Sequence, residues 1–201
     1  MSKTLQAHIA LFLVAVIYGG NYIVAKEVMD PGYIQPLAFI ALRVGFGFIL
    51  FWLFASTFIK ESIDWKDFPR ILTCAVFGVA TNQLFFFSGL KLTTPINASL
   101  IMTTTPILVL IASALIIGEQ ITGKKIIGII LGASGAILLI AYGKDISFEQ
   151  AHLLGDLFIL INAISYGVYL VIVKTLMRKY HPITIMKWLF GIGFWLSLIH
   201  I

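Results

Sequence analysis

The sequence predicts an all-α polytopic membrane protein. It reads as a bundle of transmembrane helices built from inverted five-helix repeats, with the second repeat incomplete and about seven helices present. Three observations lead there. Of 201 residues, 60% are hydrophobic and 11% charged, and mean hydropathy is +1.01, whereas a soluble domain is about a quarter charged. The apolar residues gather into runs of bilayer length, so their solvent is lipid. The opening of the first run also returns, in order, in the sixth.

The runs fall at roughly 8–25, 36–58, 71–90, 95–117, 126–142, 153–173 and 182–201. About 20 helical residues cross the hydrocarbon core, and helices satisfy their backbone groups within the segment. No run shows the strict alternation of a lipid-facing barrel strand. The first is read as a helix rather than a signal peptide, because no small-residue cleavage pattern follows it cleanly. The third holds Thr81, Asn82 and Gln83 near its middle. In the fourth, Pro106 removes a backbone donor where threonines can bond the freed carbonyls, so a bend is expected. The fifth carries Gly128, Gly132 and Gly135, a small-residue face read as a packing surface. Lys187 in the seventh is read as an anchor that snorkels to the interface.

Orientation follows from the basic residues. With the N-terminus cytoplasmic, nine fall inside: Lys3; Lys60, Lys66 and Arg70; Lys124 and Lys125; Lys174, Arg178 and Lys179. Three are assigned to outer loops: Lys26, Lys91 and Lys144. The net charge of +5 is therefore topology, with no aromatic-interleaved patch for nucleic acid. The single Cys74 forms no intrachain disulfide, and no Cys/His cluster has metal-ligand spacing. No cofactor is expected. All nine acids lie in loops or at span ends, so no buried proton relay or catalytic dyad is visible, and an enzyme is not expected.

The repeat rests on two matches. AVIYGGNYIVAK (15–26) aligns with AISYGVYLVIVK (163–174), sharing Ala, Tyr-Gly and Lys. QPLAFIALRVGFGF (35–48) aligns with HPITIMKWLFGIGF (181–194), sharing Pro and Gly-x-Gly-Phe. A five-helix unit is odd, so its second copy enters the membrane inverted. Inverted repeats build many secondary transporters, with the site between the halves. The second copy holds two helices before residue 201, which reads as a fragment or an interrupted coding sequence.

YGGNYIVAK (18–26), Pro36 to Arg43, GLKLTTPINASLIMTTTPILVLIASALIIGEQ (89–120) and GIILGASGAILL (128–139) together resemble the EamA family of the drug/metabolite transporter superfamily. The resemblance divides the chain into a first repeat at 8–142, a connecting loop at 143–152 and the start of a second repeat at 153–201. It implies ten helices, a bacterial inner-membrane location, and movement of amino-acid-like or drug-like metabolites, often outward. The partners expected are lipid and a small-molecule substrate; a homodimer is left open.

The candidate substrate-pathway residues are Tyr18, Asn21, Arg43, Asn82, Gln83, Thr103, Asn162 and Tyr166. Arg43 stands about 10 Å deep, counted from Pro36 at 1.5 Å per residue. There it either snorkels and pairs with a neighbouring helix, or faces the cavity and attracts anions. Tyr18 and Asn21 share a helical face with Tyr22, and Asn162 and Tyr166 share one with Ser165 and Tyr169. Interhelical hydrogen bonding competes with cavity lining for each set. Two other functional readings stand beside transport. One is a seven-helix receptor or photoreceptor, opposed by the cytoplasmic N-terminus and by Lys187 lying near a helix end. The other is a non-transporting fragment that needs a partner chain.

Overall fold

The computed structural model describes residues 2–30, 32–59, 61–141 and 152–198. Most of the 143–152 loop, the end of the seventh run, Lys60 and Lys144 lie outside the described residues. Seven helices follow in order: α1 (Lys3–Met29), α2 (Pro36–Phe58), α3 (Trp65–Leu92), α4 (Pro95–Ile117), α5 (Gly123–Ala141), α6 (Leu153–Leu176) and α7 (Pro182–Leu198). Among the described residues no strand occurs, and α1, α2, α3, α4 and α6 are each long and apolar enough to cross a bilayer.

Local chemistry sets the helix ends. Ser2 caps α1 by accepting from the Leu5 N–H at 3.2 Å. Pro36 and Pro95 occupy first turns, where their missing N–H costs nothing. Thr94 accepts from the Asn97 N–H at 3.1 Å. Gly118 closes α4 in the left-handed region at φ 65°, a conformation glycine adopts without strain.

Two helices are irregular. In α4 the expected bend is a break at Thr103–Thr104, just before Pro106. There the Thr103 hydroxyl donates to the Leu100 carbonyl at 2.6 Å and the Thr104 hydroxyl to the Ile101 carbonyl at 2.7 Å. In α3 a π-helical segment spans Val76–Ala80. The side chains of α6 meet it: Ser165 Oγ donates to the Phe77 carbonyl at 2.6 Å, and the Tyr169 ring lies where a Cβ on Gly78 would be.

The core sits where α3, α6 and α7 meet, around Phe87, Leu90, Ile159, Leu176, Ile185 and Leu189. Helix α6 packs on α3 and α4, and α7 packs on α2 and α3. The two Gly-x-Gly-Phe motifs pack on each other. Gly45 faces the Phe194 ring and Gly191 faces the Phe48 ring, while Phe48 and Phe194 stack at 5.9 Å. Residue numbers rise along α2 as they fall along α7, so the helices are antiparallel. Matched residues exchange reciprocal contacts, as at a two-fold axis. Many side chains of α1, among them Phe12, Val16 and Ile17, point away from the protein, as lipid contact demands.

Three expectations change. Lys26 lies inside α1 and Lys91 in the last turn of α3, so neither is a loop residue. Gly128, Gly132 and Gly135 have nothing within 4 Å of a Cβ position, so among the described residues nothing packs closely on this face. The reason is that α5 meets α4 mainly at the Pro95–Met102 end and diverges from it beyond.

Candidate functional site

Helices α1, α4 and α6 line a wide-open cavity of about 1050 Å³. The break in α4 brings Thr103, Thr105 and Pro106 to its wall, with Ser99 one turn before. Helix α1 contributes Tyr18 and Tyr22, and α6 contributes Tyr166. The surface is mostly aliphatic with hydroxyls set into it. Among the described residues lining it there is no acid, histidine, lysine or arginine.

Arg43 lies on the α2 side. Its Nη1 donates to Asn21 Oδ1 at 2.5 Å, and its guanidinium carbon stands 5.2 Å from the centre of the Phe87 ring. The rings continue from there: Phe87 to Phe86 at 5.0 Å, Phe86 to Tyr22 at 5.1 Å, and Tyr22 to Tyr18 at 6.2 Å. An aromatic chain thus runs from beneath the arginine to the cavity wall. The charge is held by an amide and a ring face, both favourable for guanidinium.

Of the eight candidates, Tyr18, Thr103 and Tyr166 meet on the cavity wall, and Asn21 and Arg43 pair on α1 and α2. Asn162 is 1% exposed and donates through Nδ2 to the Asn82 carbonyl at 2.9 Å. It therefore clasps α6 to α3. Asn82 and Gln83 lie half-buried on α3 away from the cavity lining.

The end networks were not foreseen. Lys26 spends its three ammonium donors on the Leu90, Lys91 and Thr93 carbonyls, at 2.9, 3.0 and 2.8 Å, and pairs with Asp30 at 3.1 Å. It neutralises the C-terminal end of α3. Close by, Thr93 Oγ1 donates to Asp156 Oδ1 at 2.5 Å. At the opposite end, Asp67 accepts from Lys179 Nζ at 2.5 Å and from the Tyr180 hydroxyl at 2.7 Å. That bond holds the Lys179 ammonium above its ordinary value. The shared Lys of the two repeat matches hinted at Lys26; the Asp67 cluster joins residues over a hundred apart and left no local signal.

Comparison with known proteins places this architecture. An uncharacterized transporter of Archaeoglobus fulgidus is 29% identical over 153 residues, covering 76% of this chain and 52% of its own length. The uncharacterized transporter YyaM of Bacillus subtilis is 27% identical, covering 95% and 63%. A WAT1-related protein of Arabidopsis thaliana is 25% identical, covering 90% and 51%. The chain thus spans between half and two thirds of the length of these relatives. A solved crystal structure shares the fold, with a TM-score of 0.64 at 21% identity, covering 93% of this chain and 67% of the other. The EamA-like transporter family model matches residues 5–141, and the chain is an integral membrane protein that belongs to this family.

Proposed function

We propose that the chain forms the substrate pathway of a secondary transporter in a bacterial inner membrane, exporting amino-acid-like or drug-like metabolites, and that it is not an enzyme. One observation carries the reading. Tyr18 and Tyr166 occupy matched places in the two repeat copies and face the same cavity, which is where inverted-repeat transporters hold substrate. Helices α1–α5 (8–142) form the first repeat, 143–152 the connection, and α6 and α7 (153–201) the start of the second. The reciprocal packing of α2 on α7 supports that division. Nine basic residues at one end of the spans against three at the other, Lys26 and Lys91 counted at their helix ends, support a cytoplasmic N-terminus.

The lining selects the cargo class. Aliphatic walls with spaced hydroxyls suit an apolar body bearing hydrogen-bonding groups, and Arg43 supplies positive potential nearby for a carboxylate. The test is a counterflow screen in proteoliposomes over radiolabelled amino acids and amphiphilic amines. Uptake of at least one compound is expected, lost in Tyr166→Ala and reduced several-fold for carboxylates in Arg43→Ala. Uptake unchanged in both variants removes this pathway.

A further inference from the structure

Where α5 diverges from α4, a second cavity of about 530 Å³ opens between α4, α5 and the end of α6. Its inner part is apolar, formed by Val109, Leu110, Ile129 and Leu170. Gly128 and Gly132 stand on the α5 side with open space where a Cβ would be. Its mouth is polar and basic, with Lys124, Lys125 and Lys174 around a single carboxylate, Glu119. Glu119 is already engaged: Ser113 Oγ donates to it, Lys125 Nζ donates to it at 2.7 Å, and Lys174 Nζ lies 3.7 Å away. Among the described residues Lys124 pairs with no carboxylate. Three ammonium groups therefore meet one acid at the mouth.

The geometry points to a binding site for an anionic phospholipid, with its phosphate among Lys124, Lys125 and Lys174 and an acyl chain in the wedge along Gly128 and Gly132. Two features select a lipid over a free anion. The mouth is formed by the α4–α5 turn and the last turn of α6, at span ends and hence at headgroup depth. The apolar wedge is continuous with it, and only a chain-bearing anion fills both. Basic pockets between transmembrane helices are a known chemistry for such headgroups. The site does not depend on what the larger cavity carries. If the cytoplasmic orientation is reversed, the lipid sits in the other leaflet with the same contacts.

The experiment is native mass spectrometry of the whole chain, delipidated in detergent and titrated with dioleoyl phosphatidylglycerol, dioleoyl phosphatidylcholine or inorganic phosphate. Phosphatidylglycerol is expected to bind at least ten-fold more tightly than phosphatidylcholine, and phosphate is not expected to compete at millimolar concentration. Lys124→Gln touches no ion pair and should weaken phosphatidylglycerol roughly five-fold. Gly132→Leu fills the wedge without changing charge and should weaken both lipids. Equal binding of the two lipids overturns the proposal, as does a preference untouched by both variants. Phosphate competition with no effect of Gly132→Leu assigns the lysines to a free anion and overturns it as well.

Discussion

Replacing Gly155 by alanine should force α3 and α6 apart. A Cβ there would stand 2.8 Å from the Leu92 carbonyl carbon and the Thr93 nitrogen, and 2.9 Å from the Gly89 carbonyl oxygen. All three are backbone atoms, so no side-chain rotation gives relief. The crossing must open by about half an ångström, and close-packed interiors resist that. Overpacking of this kind costs about 1–3 kcal/mol. Alanine's helix preference over glycine offsets at most about 1 kcal/mol, and less in the first turn of α6. The neighbouring Thr93–Asp156 bond at 2.5 Å is strained by the same opening, which favours the upper part of the range. A net loss of about 2 kcal/mol lowers Tm by roughly 4–8 °C for a chain of this size. Gly20→Ala is the control: nothing lies within 4 Å of its Cβ position, so Tm should hold or rise by about 2–4 °C. Cys74 supplies the assay. It is the only cysteine and is fully buried, so a fluorogenic maleimide reports unfolding directly. A Gly155→Ala Tm at or above wild type would refute the backbone-to-backbone crossing.

Other perturbations separate the remaining networks. Asn162→Ala removes the interhelical bond to the Asn82 carbonyl and should cost about 0.6–1.7 kcal/mol, the range for such bonds in membranes. A double variant with Ser165→Ala should cost less than the two single losses together, because both residues hold the same stretch of α3; strict additivity in the maleimide assay would contradict a shared anchor. Glu119 gives a pH signature. The Lys125 hydrogen bond, then the Ser113 bond, hold its carboxyl at about 2, below the ordinary 4.5. A lowered folded value means the contribution is fully present above 4.5 and lost as pH falls through about 2. The Tm difference between wild type and Glu119→Gln should therefore be flat near neutral pH and shrink below about 4.5. A difference unchanged down to about pH 2 would show that Glu119 is not ion-paired.

Helix number and the break in α4 were legible because they depend on local signals. Bilayer-length apolar runs announce helices, and Pro106 with its threonines announces the break. The repeat was legible as well, since Gly45 and Phe48 return as Gly191 and Phe194. Its consequence, that the two motifs pack on each other, appears only in three dimensions. Asn162 could be placed on a helical face but not assigned a partner, because lining and clasping need the same residue types at the same spacing. The glycines of α5 misled for a related reason: a small-residue stripe permits close approach without enforcing it. The π segment carries no composition signal, since VFGVA reads as ordinary helix; it is defined by Ser165 and Tyr169 of α6.

The opening of the second span posed the sharpest physical problem, an arginine among residues suited to oil. An arginine at a helix centre costs about 2.5–3.5 kcal/mol on insertion scales. The Asn21 bond and the Phe87 ring face offset much of this, since a hydrogen bond to a charged group contributes about 1.5–3 kcal/mol and a cation–π contact about 0.5–2. That arrangement also ties α1 to α2. The other ties of α1 gather in its C-terminal part: Tyr22 against Phe86, Ala25 and Met29 buried in the core, and Lys26 on the last carbonyls of α3. Its repeat counterpart α6 is held very differently. Gly167 of α6 packs on the Leu108–Val109 backbone, while its match Gly19 has open space around it. Local stability follows buried contacts. Of the three helices that wall the large cavity, α1 is thus the least firmly held and α6 the most. Displacement of α1 must break the Arg43–Asn21 bond and the Lys26 cap and draw Tyr22, Ala25 and Met29 out of the core at one end, whereas displacement of α6 would open the core along its whole length.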